Sequence, residues 1–524
     1  MLDGLFAGLD VSTQSCKLVV IEPTTARVVH VDAVNYDEDV PHYETNQGTI
    51  TGLGEGVSES DPLMWIEAVE IVLGGLGASG VDASRIRCLS VSGQQHGLVA
   101  LDSDGALARP RSKLWNDYST LEECEILTDA VGGAARMIEE VGNSQRTGYT
   151  ASKILHMRRH EPETYGRAQT LFLVHNYINW WLTGGIAAME PGDTSGTALW
   201  NPCTGAYSAA VLAAIDDGLA AKLPPVRPAD QTIGAVGRHL VDRFGFATDC
   251  RIDAGSGDNM YAAIGTGNVA PGVVTISLGT SGTACSVTEN AWVDPTGEIA
   301  SFCDSTGHYL PLLCVSNMAN GYEAVRTRFG LSHTEFARMV DRTDAGNGGR
   351  ILIPWYEGER TPDVPLAAPL YFGFGADDFN AERMTRAALE GHVLNLHAGF
   401  EGWPVEPTRL HVTGGLAQSP AWCQTIADVF EIETVPVEGE GAALGAALHA
   451  AWVLGKESGS HVPLEALTDA FVVFVEDRRC QPEPVAVARH RMQRELFKAV
   501  SRRLRGLEGA DPFAIRAKMA AAEA

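Results

Sequence analysis

Two stretches set far apart in this chain have the same form. LFAGLDVSTQSCKLVV (5–20) and VVTISLGTSGTACSV (273–287) each read as an apolar strand, a tight turn of small polar residues and a returning apolar strand. One such hairpin in each half points to a duplicated architecture. RVVHVDAVNY (27–36) extends the first hairpin to a meander, and RIRCLSVSG (85–93) is a further strand. Between them, Asp61-Pro62 reads as a helix N-cap with proline at the first helical position, opening the helically spaced run LMWIEAVEIVLGGL. Strands alternating with helices in this way predict an α/β fold.

At 524 residues the chain exceeds one domain of usual size. The Pro-rich stretch KLPPVRPAD (222–230) interrupts the pattern, and RIDAGSGDNMYAAIGTG (251–267) restarts it as strand, glycine turn and helix. We therefore expect a first domain over 1–252, a second over 253–480, and a C-terminal helix and tail over 481–524. Residues 37–61, acidic and glycine-rich, read as a long loop, and 120–220 as helical with few motifs. TRLHVTGGLAQSP (408–420) is strand, glycine turn and helix start, and GAALGAALHAAWVLG (441–455) is a small-residue helix suited to close packing. The Arg-rich amphipathic segment 485–507 is expected to lay one face on the body of the protein.

Charge narrows the function. With 45% hydrophobic residues, 20% charged residues and a formal net charge of −27, the composition is that of a globular protein whose surface repels nucleic-acid phosphates and anionic lipid. The expected partners are thus a small molecule, with no nucleic acid and no membrane; a homodimer is left open. Ten scattered cysteines without a C-x-x-C pair suit reduced thiols, and the acidic N-terminal segment lacks the basic region of a secretory signal, so a cytoplasmic location is expected. A polyanionic ligand would have to be received by backbone N–H groups, helix N-termini or a bound cation.

Several residues have chemistry to offer. Asp10 closes a strand before the turn of Ser12, Thr13 and Gln14, whose N–H groups can face phosphate, while Lys17 on the return strand can add positive charge. The Asp10 carboxylate can receive magnesium-bound water, or it can simply cap the turn. The second tip, Gly279-Thr280-Ser281-Gly282, can form the same cradle or be an ordinary hairpin turn, and neither tip carries a Walker-type P-loop. Gly414-Gly415 can admit a nucleotide close to the backbone or serve a tight turn. Asp258, between Gly-Ser-Gly and a helix, is expected at or near an N-cap, ionised with the helix N-terminus favouring its charge, and so able to accept a proton from a hydroxyl; a purely structural cap is the alternative. Asn259 beside it can bond a sugar hydroxyl or act as a second cap residue. Gln95 and His96 end a strand, a usual ligand position in open α/β sheets, although His96 can equally be a satisfied structural histidine.

LDVSTQSCK (9–17), SGQQHG (92–97), LWND (114–117), GSGDN (255–259), SLGTSG (277–282), GERTP (358–362), TGGLAQSP (413–420) and GAALGAA (441–447) together resemble the FGGY family of carbohydrate kinases over about residues 5–455. The resemblance is strongest to the xylulose kinases, and LDVSTQSCK with AVGGAARM (130–137) looks like their eukaryotic type. It implies two ribonuclease H-like domains of actin-like ATPase type with a cleft between them, and transfer of phosphate from ATP, with Mg2+, to a ketopentose hydroxyl. It further implies Asp258 as proton acceptor and a further candidate for the metal, Asp10 as support for magnesium through water, sugar contacts from Gln95, His96, Asp258 and Asn259, and nucleotide contacts from Thr13, Gln14, Lys17, Gly279, Thr280, Gly414 and Gly415. Ser12 stands where most members have glycine, and the surroundings of Arg146 do not match the sugar-binding arginine of eukaryotic-type members.

Overall fold

The computed structural model describes residues 2–439, 441–460 and 462–523. The first sheet has the order β5-β6-β4-β1-β2-β3, from β1 (Leu5–Val11), β2 (Ser15–Glu22), β3 (Arg27–Asn35), β4 (Ile86–Gly93), β5 (Thr232–Ala235) and β6 (Arg251–Asp253). The meander β1–β2–β3 is antiparallel; β1 then pairs in parallel with β4, and β4 with β6. β1 is buried on both faces, as a strand flanked by a parallel neighbour requires. Leu5, Ala7, Leu9 and Val11 join Met64, Trp65, Val69 and Val72 of the Pro62–Ala78 helix in one core. Phe6, with Val19 and Ile21 of β2, joins Ala443, Ala446, Ala447 and Ala450 of the Gly441–Glu457 helix in another. The Pro62–Ala78 helix starts as expected: the Asp61 carboxylate accepts from Leu63 N–H at 2.8 Å, and Pro62 spends its missing donor where none is needed.

The second sheet repeats the plan. β7 (Val273–Leu278) and β8 (Gly282–Ser286) form the hairpin, and residues 312–315 of β9 (Tyr309–Val315) pair antiparallel with β8. On the other side, β7 lies parallel to β10 (Arg409–Thr413), β10 lies parallel to β11 (Thr434–Glu438), and β12 (Val473–Phe474) closes the edge. The Pro484–Leu504 helix buries Ala486, Val487, Leu496, Phe497 and Val500 and directs arginines outward, with Arg491 paired to Glu431, as the amphipathic pattern predicts.

The compact units do not follow the division expected at 252/253. One comprises Met1–Val269, Val287–Pro311 and Gly439–Val472; the other comprises Ala270–Ser286, Leu312–Glu438 and Val473–Ala524. The reason is the alanine-rich helix. Its small side chains fit it against β1 and β2, so a segment late in sequence completes the first core. The C-terminal segment, expected to stand apart from 481 onward, belongs to the second unit. Residues 37–61 also differ from the long loop expected. They hold a helical turn (Tyr36–Asp39), a small hairpin (Thr45–Asn46 with Thr49–Ile50) and a short strand (Glu59–Ser60). Asp37 ties this hairpin down by accepting from Thr45 Oγ1 at 2.7 Å, Gln47 N at 2.6 Å and Gly48 N at 3.1 Å. Among the described residues, no helix is long and apolar enough to cross a membrane.

Candidate active site

The C-terminal ends of β1 and β4 bring the sequence-singled residues of the first unit together. Across these strands Asp10 is in register with Ser92 and Val11 with Gly93, and the short strand Ser256–Gly257 extends the register on the far side of β4. On the other side of β1, Asp10 is opposite Lys17, so the two side chains share a face. The Asp10 carboxylate accepts from Ser92 Oγ at 2.7 Å. Burial pushes its pKa up to about 6, against the lowering by the Ser92 hydroxyl and the Lys17 charge.

Asp258 follows directly on Ser256–Gly257 and is the first residue of the Asp258–Gly265 helix. Asp258 thus lies next to the N-cap, as expected, with Gly257 in the cap position itself. Gly257 is required here because a Cβ would meet Gln95 Cγ at 2.7 Å, so the glycine lets the Gln95 amide pass over the helix start. The expectation of a carboxylate held charged by the helix end is corrected. Burial, then repulsion from Asp10 and Asp193, pushes the Asp258 pKa up to about 8 despite its bonds with Asn259. Helix-terminus stabilisation, worth about 0.3–1 kcal/mol, is too small to offset these effects. Among the described residues Asp258 makes no ion pair. The helix is anchored from behind by a buried network, in which Tyr261 Oη lies 2.8 Å from Ser90 Oγ and His449 Nδ1 lies 2.7 Å from Asp253 Oδ2.

A chain of polar contacts runs from Asp258 into the unit. Asn259 Nδ2 donates to Asp258 Oδ1 at 3.1 Å and to Gln95 Oε1 at 2.6 Å, and Gln95 Nε2 donates to Asp193 Oδ1 at 3.3 Å. His96 Nδ1 lies 2.9 Å from the same oxygen. Burial would raise the Asp193 carboxyl, but His96 and His175 together hold it below the usual range, so it stays an anion. His96 has a left-handed backbone (φ 65°), a conformation that costs energy and must be held. Its carbonyl accepts from Lys153 Nζ at 2.7 Å and Thr150 Oγ1 at 3.1 Å, and its ring sits against Tyr149 and Phe302. Lys153 is fully buried, and its pKa is pushed down to about 7 by that burial, against the pull of Asp117 and Asp193.

Sequence reasoning missed Asp193, Lys153 and Ser92. Asp193 had a readable signal in EPGDTS (190–195). Glu190 caps this turn, accepting from Gly192 N at 2.6 Å and Asp193 N at 2.8 Å, and Pro191 stands at the first helical position. Lys153 had none, since a lysine in TASKILHMRRH reads as solvent-facing.

The first hairpin tip is only partly the expected cradle. Ser12 N–H is spent on Ser15 O at 3.0 Å, whereas the Thr13 and Gln14 N–H groups donate to nothing among the described residues. Thr13 is pinned through its hydroxyl, which accepts from Trp115 Nε1 at 2.9 Å. In the second unit, Gly279 and Thr280 form an exposed tip whose Thr280 carbonyl accepts from Met318 N at 2.9 Å. Gly414 (φ 92°) passes so close to β7 that a Cβ would lie 2.5 Å from Leu278 O, so its turn geometry is structural; Gly415 faces open space. Arg146, set aside at the sequence level, donates to Gly297 O at 2.8 Å.

Comparison with known proteins identifies the family and the fold. Xylulose kinase of Streptomyces coelicolor is 35% identical over 469 residues, covering 87% of this chain and 90% of its own. Xylulose kinase of Haemophilus influenzae is 31% identical over 491 residues, covering 91% and 95%. Identity to xylulose kinase 2 of Arabidopsis thaliana is 29%, and to the probable D-xylulose kinase A of Aspergillus oryzae 27%, so the expected leaning toward the eukaryotic type is not seen in overall identity. The crystal structure of xylulose kinase from Bifidobacterium adolescentis superposes with a TM-score of 0.78 at 27% identity, covering 94% of this chain and all of that one. The fold is therefore the α/β, two-sheet architecture of the actin-like ATPase kinases. The N-terminal domain of the FGGY family of carbohydrate kinases matches residues 5–265 and its C-terminal domain residues 274–454, and the chain accordingly belongs to that family of carbohydrate kinases.

Proposed function

We propose that this kinase transfers the terminal phosphoryl group of ATP to the C5 hydroxyl of D-xylulose, with Asp258 accepting the hydroxyl proton. The observation that carries the chemistry is the Asp258 carboxyl, buried at the start of its helix, unpaired with any cation among the described residues and shifted to about 8. A base with a pKa near the working pH is the most effective proton acceptor, and such help is worth about 10²–10⁴-fold. The relatives named xylulose kinase, matched over nine-tenths of their length, support the choice of sugar.

On this reading the first unit binds the ketose. Asn259, Gln95 and His96 offer amide and imidazole groups to hydroxyls, and Asp193 fixes the orientation of Gln95 and His96. The second unit contributes Gly279, Thr280, Gly414 and Gly415 to nucleotide binding, and Thr13, Gln14 and Lys17 serve the phosphates. The residues present fit Mg2+: Asp10 and Asp258 are oxygen donors, and the Asp10 charge opposes the ionisation of Asp258, which a bound cation would favour. Asp10 would hold the ion through water, with Asp258 close by. Bound there, magnesium would neutralise charge on the phosphates. The Asp258 carboxylate takes the proton, and Asn259 keeps that carboxylate aligned by donating to its Oδ1.

A panel of D-xylulose, D-ribulose, L-ribulose and polyols in a coupled ADP-release assay tests the assignment. D-Xylulose should give the highest kcat/KM. A different leading sugar would replace the substrate but keep the kinase, and ligand binding without any sugar-dependent ADP would make the chain a sugar-binding regulator.

A further inference from the structure

We infer that Glu123, His156 and His160 form a binding site for a divalent metal ion of the zinc class, bridging the Leu121–Ala130 helix and the Thr150–His160 helix. The two histidines are four residues apart on one helix and therefore share a face, with ring centroids 4.5 Å apart. Glu123, buried on the neighbouring helix, places Oε1 3.1 Å from His160 Nε2. One ligand atom from each of the three lies within 4.8 Å of the others. Two imidazoles and one carboxylate are a donor set that zinc accepts with a water as fourth ligand, whereas magnesium and calcium prefer oxygen alone.

The surroundings bear on both sides of this assignment. Burial, followed by the charge of Lys113, holds His156 below its ordinary pKa, and its Nδ1 is buried without a hydrogen-bond partner among the described residues. Glu123 and Asp117 pull the other way, and His160 adds to Lys113. The competitor is Arg159, which pairs with Glu123 Oε1 and also donates to Glu122 Oε1 at 2.7 Å. A metal must displace one end of that guanidinium, which can keep its bond to Glu122. The site also has a mechanical consequence. The Thr150–His160 helix carries Thr150 and Lys153, whose side chains hold the His96 carbonyl, so an ion would pin that helix at its far end.

The test uses full-length, metal-stripped, nucleotide-free protein, so it does not depend on the kinase reading. Titration with Co2+, followed by visible d–d absorption, should show one ion per chain, and Zn2+ should displace it. Ten cysteines elsewhere make variants essential. His160→Ala, at an exposed position, should abolish the step with an unchanged circular dichroism spectrum, and His156→Ala should do the same. Glu123→Gln should weaken binding by at least about tenfold, and Arg159→Gln, by removing the competing cation, should tighten it. Absence of the absorption band in the wild type, or a step that survives both histidine substitutions, would overturn the assignment.

Discussion

The two hairpins are built alike and equipped differently. In each, an antiparallel pair is joined by a small polar tip, and the first strand runs parallel to a second partner. At the position one residue before the end of that first strand, β1 has Asp10, opposite Lys17 and Ser92, and β7 has Ser277, opposite Thr283 and Thr413. A carboxylate, an ammonium and a hydroxyl in one unit correspond to three hydroxyls in the other. The strands that follow diverge in the same sense. β4 runs into Gln94, Gln95 and His96, whereas β10 runs into Gly414 and Gly415. Duplicated backbone thus carries different chemistry at the two tips: a carboxylate and an ammonium stand in the first unit where hydroxyls stand in the second.

This division can be broken by substitution. The largest effect is expected from Asp258→Asn, which should lower kcat by about 10²–10⁴-fold with ketose affinity, measured by calorimetry, changed far less. Asp10→Asn should cost about 10–100-fold in turnover and raise the magnesium requirement, while its counterpart Ser277→Ala should cost less than about threefold. Equal losses at the two positions would show the tips to be chemically interchangeable. Gly414→Ala forces a side chain onto the Leu278 backbone at positive φ and should destabilise by about 1–3 kcal/mol in denaturant melts, with KM for ATP raised more than KM for sugar. A modest effect belongs to Lys153→Met, which removes one donor from the His96 carbonyl and should raise the ketose KM by about fivefold, the worth of ~1 kcal/mol.

What could be read from the sequence followed from local pattern. Alternation and turn chemistry located β1, β2, β4 and β7, the Asp61 cap and the small-residue helix, because each is dictated by residues adjacent in sequence. The motif order identified the kinase class. The unit boundaries were not legible, because the Gly441–Glu457 helix completes the first core through contacts with β1 more than 400 positions away. The raised pKa of Asp258 was not legible for the same reason. Its helix start is local, but Asp10 and Asp193, which oppose its ionisation, arrive from distant segments. The His96 backbone likewise depends on a lysine that only tertiary packing buries.

The pH dependence of kcat/KM for the ketose, measured in the wild type and in Asp10→Asn and Asp258→Asn, addresses the coupling of the two carboxylates most directly. A base works only when deprotonated, so wild-type activity should rise with pH as the raised Asp258 carboxyl titrates toward about 8. Removing the Asp10 charge should move that rise to lower pH, and Asp258→Asn should leave a flat residual rate. A rise that keeps its position in Asp10→Asn and persists in Asp258→Asn would contradict the assignment of Asp258 as the proton acceptor.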